Sequence, residues 1–334
     1  MTFRAVLVTK DQDAEGNDLH AAKVAHVDES FLGDEDTLID VAFSGINYKD
    51  GMAIGGRPGV VRRWPLIPGI DLVGTVVASS HPRWRLGDDV ILNGEGLGET
   101  LHGGLAERAR VSGDRLVRLP GQVSMREAAA IGTAGFTAML SVMALEERGV
   151  TPSDGDILVT GSAGGVGSIA ISLLSALGYR VVASTGRVDQ ASPYLRALGA
   201  SEVVDRSQFA QPGKPLQSQR WAGVVDAVGS HTLANAIAQT NYGGVVTTCG
   251  VAQGPDLQTT VMPFILRAVT LVGINSVNAP NRLRETAWER LANEINRDLL
   301  EQMTTVIPLE GSLRAAQQIL DGKVTGRTVV DVRA

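Results

Sequence analysis

The stretch DILVTGSAGGVGSIAISLLSALG, residues 156–178, decides the fold. A short apolar run, Asp156–Thr160, reads as a buried strand, and a glycine cluster follows at Gly161, Gly164, Gly165 and Gly167. An apolar helical pattern, Val166–Leu177, begins at once. Glycine allows a sharp turn and lets backbone N–H groups approach a phosphate with no Cβ in the way. The start of a helix adds unpaired amides and the positive end of a dipole. Strand, glycine turn and helix in this order mark a dinucleotide diphosphate site, with Ser162, Ala163, Gly164, Gly165 and Val166 as candidate contacts. The spacing is G-x-x-G-G-x-G, a departure from strict G-x-G-x-x-G.

Downstream, the rhythm alternates. Strands are predicted at Arg180–Ser184, Val203–Val204, Gly223–Ala227, Gly244–Cys249 and Thr270–Ile274, with helices at Ser192–Leu198 and Leu233–Ala238 between them. That alternation is the pattern of a doubly wound parallel sheet. Upstream, Phe3–Thr9, Asp36–Ser44, Ile70–Ala78, Asp89–Asn93 and Gly104–Val111 read as short strands between turns, a small β-rich domain. Ser124 with Glu127 has capping-box spacing for a helix start, and Ala128–Ile131 and Phe136–Leu145 continue as helix, broken around Gly132–Gly135. Helices at Arg282–Arg297 and Arg314–Leu320 and a strand at Thr328–Val332 end the chain.

About twenty residues past a dinucleotide turn stands the group that grips the adenine-side ribose: an acid for the 2′-hydroxyl of NAD, a cation for the 2′-phosphate of NADP. Here the residues are Ser184, Thr185, Gly186 and Arg187, with no acid before Asp189. The Thr185 hydroxyl and the Arg187 guanidinium both donate to a phosphate, and a bond to a charged group contributes about 1.5–3 kcal/mol. NADPH is favoured.

The bulk composition excludes other classes. The 334 residues suffice for two domains, and 44% hydrophobic with 20% charged residues is ordinary for a globular chain. A net charge of −6 argues against a nucleic-acid face. One cysteine, Cys249, allows neither an internal disulfide nor a cysteine-rich zinc site. The start, MTFRAVLVTK, is no signal peptide, and no uninterrupted apolar stretch nears the ~18 residues of a membrane span. A cytoplasmic location is the expectation.

Taken in order, SGINYKDGMAI (44–54), PLIPGIDLVGTV (65–76), GTAGFTAM (132–139), VTGSAGGVGS (159–168), NYGGVVTTCG (241–250) and TTVMPFILR (259–267) span almost the whole chain. Together they resemble the medium-chain dehydrogenase/reductase superfamily on its quinone-oxidoreductase side, most specifically the acrylyl-CoA reductase (NADPH) group. The resemblance implies a GroES-like catalytic domain from residues 1–127 and 276–334, a Rossmann-type domain from 128–275, and a homodimer joined through an edge strand, here Thr270–Ile274. Where zinc-dependent relatives place a Cys, a His-Glu pair and a second Cys, this chain has Asn47, Ile70-Asp71 and Thr133. Ile and Thr do not replace such ligands, so no metal is expected.

Without zinc, the chemistry left to this superfamily is reduction of an activated C=C bond by hydride transfer to the β-carbon, with donors stabilising the resulting enolate. Tyr48 is the first candidate donor near the nicotinamide, to an enolate or, as a cofactor contact, to the nicotinamide ribose; Asn47 and Asp50 flank it and orient the substrate or fix the loop. Resemblance points Thr137 toward the nicotinamide. Gly250, Val251, Phe264, Ile265, Asn275 and Ser276 follow strand-like segments, where doubly wound sheets hold ligands. Arg327 is a candidate contact to cofactor or thioester. Lys49, Arg57, Arg62 and Arg63 form a basic patch suited to the phosphates of a short acyl-CoA. A quinone or enone reductase, and an NADPH-binding protein with little catalysis, stay open as alternatives.

Overall fold

The computed structural model describes every residue except Asp13, Ala14 and Asn17. In chain order the first elements are β1 (Thr2–Gln12), β2 (Asp18–Asp28), β3 (Thr37–Ile46), α1 (Tyr48–Ile54), β4 (Asp71–Ser79), β5 (Asp89–Asn93), β6 (Arg108–Val111), β7 (Val117–Arg118) and α2 (Met125–Glu146). Next come β8 (Asp156–Val159), α3 (Gly165–Ala176), β9 (Val181–Thr185), α4 (Val188–Ala197), β10 (Ala200–Asp205), β11 (Trp221–Asp226), α5 (Ser230–Ala238), β12 (Thr240–Thr248), α6 (Met262–Arg267) and β13 (Thr270–Gly273). The last are α7 (Asn281–Glu294), α8 (Arg297–Gln302), β14 (Thr304–Pro308), α9 (Ser312–Leu320) and β15 (Arg327–Asp331). Contacts divide the chain into two compact units: Met1–Thr133 with Ser276–Ala292 and Met303–Ala334, and Ala134–Asn275 with Asn293–Gln302.

The first unit is GroES-like and β-rich. A seven-stranded sheet runs β14-β15-β3-β4-β5-β7, with β6 also on β3, beside the antiparallel hairpin β1-β2. Alternating apolar residues of these strands, among them Val6, Ile39, Val41, Leu72, Val76, Val90, Leu92 and Val330, share one buried cluster. Full burial of each such side chain stabilises the fold by roughly 1.5–3 kcal/mol.

The second unit is a parallel sheet in the order β10-β9-β8-β11-β12-β13. Its central strands β8, β9 and β11 are buried on both faces, which explains why ILV and VVA run without alternation. The order reverses between β8 and β11, and a ligand crevice opens at the carboxyl ends of the strands at such a point.

Strands β2, β7 and β14 and helices α1 and α6 have no counterpart in the sequence reading. The residues of β2, DLHAAKVAHVD, are mostly exposed on a hairpin edge, and only Val27 is buried, so no apolar pattern marks them. The strand expected over Gly104–Val111 keeps only Arg108–Val111, and the stub at Val203–Val204 extends to Ala200–Asp205. The helix expected over Arg282–Arg297 is α7, which ends at Glu294, and a further helix, α8, begins at Arg297. The break expected near Gly132 falls on that residue, whose φ of 48° and ψ of −159° lie outside the helical region. Helix α2 also contains an 18-residue window of membrane-like hydropathy, which a search for uninterrupted apolar residues passes over; 94% of it is buried within the protein.

Arg284 on α7 explains how the chain rejoins the first unit after residue 275. The side chain is 1% exposed. Its nitrogens donate to the carbonyls of Ala279 (2.8 Å), Asn93 (2.7 Å), Ser276 (3.0 Å) and Val277 (2.7 Å) and to the Glu95 carboxylate (3.0 Å). Its fork pins the incoming segment to the end of β5. Arg284→Met leaves those carbonyls without their donor and the half-buried Glu95 without its cation, at a cost of about 3–5 kcal/mol. Urea denaturation should report that loss, with Arg284→Lys intermediate; a change below about 1 kcal/mol for the Met variant would refute the anchoring role.

Candidate functional site

In the second unit the glycine turn sits at the carboxyl end of β8. Gly161 has φ +59°, and a Cβ on Gly167 would lie 2.5 Å from Ser162 Cα, so helix and turn pack backbone to backbone. Ser162 Oγ donates to the Ser184 carbonyl at 2.7 Å, tying the turn to β9. Gly164 is the N-cap of α3 and carries no side-chain cap. Gly164 is exposed, and Gly165 and Val166 are half-buried, while Ser162 and Ala163 are buried. The helix tip thus offers an anion its open first turn.

Asp226 braces this turn, a residue that sequence reasoning missed. Its carboxylate accepts from Thr160 Oγ1 at 2.7 Å, Gly229 N at 2.9 Å and Thr248 Oγ1 at 3.3 Å, joining the ends of β8, β11 and β12. Burial raises its pKa, and those hydrogen bonds oppose the rise. Asp226 closes β11, the strand paired directly with β8, whose end carries Thr160 and the glycine turn.

Thr185 ends β9 buried, and its Oγ1 accepts from Arg187 N at 3.3 Å. Gly250 follows β12 so tightly that a Cβ would lie 2.3 Å from the Ala227 carbonyl. Val251 and Ile265 are exposed, whereas Phe264 packs half-buried on the core of the sheet. Thr137 is buried in the second half of α2, its carbonyl accepting from Ser141 Oγ at 2.9 Å. Asn275 is the last residue of its segment in the second unit, and Ser276 opens the next segment of the first. The lone thiol, Cys249, is pushed up to about 12 by burial and stays protonated.

In the first unit, Asn47, Asp50, Asp71, Asn93, Thr133 and Arg327 converge. Asp71 accepts from Asn47 Nδ2 at 2.7 Å, Asn93 Nδ2 at 2.7 Å, Thr133 N at 2.9 Å and Thr133 Oγ1 at 2.5 Å. Arg327 is buried; it donates to the Ala130 carbonyl at 2.6 Å and Asn47 Oδ1 at 3.1 Å, and its Nη2 lies 3.8 Å from Asp71. Burial lowers the Arg327 pKa, and the charges of Asp71 and Asp50 oppose that. Asp50 accepts from Asn47 N at 2.8 Å and Ile70 N at 2.9 Å. Burial, then the charge of Asp71, pushes Asp50 up to about 7. Tyr48 begins α1 at the edge of this cluster and is 49% exposed.

The basic patch is partly neutralised. Lys49 pairs with Glu99 at 2.6 Å, whereas Arg57, Arg62 and Arg63 are exposed. Arg63 lies 3.4 Å from His102 Nε2, and burial, then that positive charge, pushes His102 down to about 4. His102 is therefore neutral at pH 7.

Two family models match the chain: the alcohol dehydrogenase GroES-like domain over residues 33–121, and zinc-binding dehydrogenase over residues 165–293. A probable acrylyl-CoA reductase of Escherichia coli strain K12, AcuI, is 50% identical over 311 residues, covering 93% of this chain and 95% of that protein. A putative quinone oxidoreductase of Bacillus subtilis strain 168, YhfP, is 45% identical over 325 residues, with 96% of each covered. Among solved structures, the Salmonella enterica yhdH oxidoreductase in complex with NADP superposes with a TM-score of 0.94 at 48% identity, covering 98% of this chain and 99% of that one. By sequence, fold and element order, the chain belongs to the medium-chain dehydrogenase/reductase family, on its quinone-oxidoreductase-like side.

Proposed function

We propose that the chain reduces the activated C=C bond of acrylyl-CoA, or a similar short 2-enoyl-CoA, with NADPH. The observation that carries this reading is the near-full-length 50% identity with a protein named a probable acrylyl-CoA reductase. The cofactor residues fit it: an uncapped helix tip for the diphosphate, and Thr185 and Arg187, with no acid among residues 184–188, for a 2′-phosphate. Thr137, Gly250, Val251, Phe264, Ile265, Asn275 and Ser276 are the proposed contacts at the nicotinamide half.

The zinc that the family name implies does not fit. At Asn47, Asp71 and Thr133 the single carboxylate already accepts four hydrogen bonds, and a guanidinium stands 3.8 Å away. Zinc needs free Cys, His or carboxylate lone pairs. The proposed reaction therefore runs through hydrogen-bond donors.

When bound, NADPH supplies the hydride that reaches the β-carbon. Charge then gathers on the thioester oxygen, where a fixed donor lowers the barrier. Tyr48 is the proposed donor, since its hydroxyl belongs to a half-exposed side chain on the first residue of α1. Asn47 and Asp50 hold it there through the capping box that starts the helix. Arg327 locks the Asn47 amide from behind. The α-carbon takes a proton to finish the reduction.

The same groups would serve a quinone or enone, and the likeness to a putative quinone oxidoreductase supports that second reading. The proposed assembly is a homodimer: β13 is an open sheet edge, and Met262, Ile265 and Leu266 on α6 are exposed apolar residues. The proposed setting is the cytoplasm.

Loss of NADPH absorbance with acrylyl-CoA, simple enones and quinones tests the substrate class. Replacing Arg57, Arg62 and Arg63 together by Ala should raise KM for the thioester about tenfold or more and leave a small enone unchanged. Equal losses on both remove coenzyme A from the patch; no turnover with any substrate favours a binding protein. Tyr48→Phe should lower kcat roughly a hundredfold with NADPH affinity intact; an unchanged kcat removes Tyr48 as the donor. Asp50 bears on pH. Because the folded chain holds its proton up to about 7 against an ordinary 3.8, folding binds a proton across that window, and stability falls as pH rises through it. Relative to Asp50→Asn, the wild type should lose on the order of a few kcal/mol between pH 4 and pH 7. Parallel stability curves for the two proteins would contradict this.

A further inference from the structure

Residues 55–64, GGRPGVVRRW, follow α1 in the first unit and carry Arg57, Arg62 and Arg63, all exposed. Elsewhere in this unit guanidinium groups meet carboxylates: Arg4 meets Glu107, Arg108 meets Glu29 and Arg118 meets Asp88. Among the described residues none of the three loop arginines forms an ion pair, and the acid beside them, Glu99, is held by Lys49 at 2.6 Å. A neutral ring holds Arg63 instead, its Nη2 lying 3.4 Å from Nε2 of His102. Uncompensated cations so close together, in a chain of net charge −6, mark an anion site. An aromatic ring stands beside them. Trp64 is half-buried, whereas Trp84, Trp221 and Trp288 are buried. The His20 ring, on the β1-β2 hairpin, lies 5.3 Å from the Trp64 ring at a tilt of 50°. That hairpin meets the loop at Gly56 (φ +64°), where a Cβ would lie 2.8 Å from His20 Cβ.

We propose that Trp64, backed by His20, seats the adenine of the substrate's coenzyme A carrier, while Arg57, Arg62 and Arg63 take its 3′-phosphate and diphosphate. The inference rests on the thioester reading and names the group that reads the carrier. Every nucleobase has a π face that stacks on an aromatic side chain, and the phosphates of the same nucleotide call for guanidinium forks close by. Cations alone hold any polyanion; a ring and cations in one loop select a nucleotide. Helix α1 sets the spacing. Tyr48 starts it, and the loop leaves its other end, where Gly55 N donates to the Gly51 carbonyl and Arg57 N to the Met52 carbonyl. Seven residues of helix span roughly 10 Å, a distance that an extended pantetheine arm covers. The thioester and the nucleotide therefore lie toward opposite ends of one helix. A quinone or simple enone has no part that reaches Trp64, so the loop discriminates between substrate classes.

Titration of the full chain, saturated with NADP+ so that the cofactor's own nucleotide site is filled, tests this without turnover. The probe is 3′,5′-ADP, followed by calorimetry and by tryptophan emission. Adenine stacked on Trp64 should quench that emission, and the quenching should vanish in Trp64→Phe, since the other three tryptophans are buried. Trp64→Ala should weaken 3′,5′-ADP about tenfold or more, with Trp64→Phe in between. NADP+ affinity reports whether each variant has folded. Undiminished binding of 3′,5′-ADP by Trp64→Ala, or binding to the wild type without quenching, overturns the adenine seat. A wild type that turns over acrylyl-CoA but does not bind 3′,5′-ADP overturns it as well, and the thioester reading stands. Turnover of simple enones with none of acrylyl-CoA sinks the thioester reading and this inference with it.

Discussion

Asp71 receives the amides of Asn47 and Asn93 and both the amide and hydroxyl of Thr133, with the Arg327 guanidinium 3.8 Å away. These groups come from the end of β3, the end of β5, the break in α2 and the start of β15, so one carboxylate holds together segments hundreds of residues apart. Both Asp71 and Arg327 are nearly fully buried. A buried charge is tolerated only when its lone pairs are satisfied, and removing one partner of a buried pair costs about 3–5 kcal/mol. The network also constrains its neighbour. Burial, and then the charge of Asp71 close by, pushes the Asp50 carboxyl up to about 7.

The second unit uses the same device without a cation. Asp226 binds Thr160, Gly229 and Thr248, and thereby fixes the strand ends from which the cofactor turn departs. Gly167 and Ser162 then lock that turn against α3, so the open amides of the helix tip are set before any ligand arrives. Pre-set donors spare the ligand the cost of ordering them. In each unit, a buried carboxylate ties together the segments that carry candidate contacts.

Much of this was legible in the residues. The parallel sheet followed from Asp156–Gly178 because strand, turn and helix each leave a local mark there, and the helix break at Gly132 followed from clustered glycines. Hidden elements had physical reasons: β2 lacks an apolar face, and α1 is seven residues long. Its Asn47 and Asp50 do carry capping-box spacing, a signal available in the sequence. Asp226 was missed because its role depends on which strand lies beside which. Asn47, Asp71 and Thr133 could be named from resemblance, but not their convergence on Arg327, which comes from the far end of the chain. No spacing rule joins residues 71 and 327; only the pairing of β15 with β3 does.

That pairing also bears on the chemistry. A metal centre and a guanidinium–carboxylate centre both cross-link a fold, yet they present opposite faces to a substrate. A metal offers an empty orbital, whereas Asn47, Thr133 and Arg327 offer N–H and O–H groups, and here these are turned inward onto Asp71 and one another. The centre is thereby consumed by structure. On the proposed reading, polarising the substrate oxygen passes to the phenol of Tyr48. A neutral hydroxyl donor does not hold an alcohol as its alkoxide. It can hydrogen-bond the delocalised charge of a thioester enolate, which asks for donors in place rather than for a Lewis acid. On the proposed reading, a buried network at these positions thus suits reduction of conjugated double bonds rather than oxidation of alcohols.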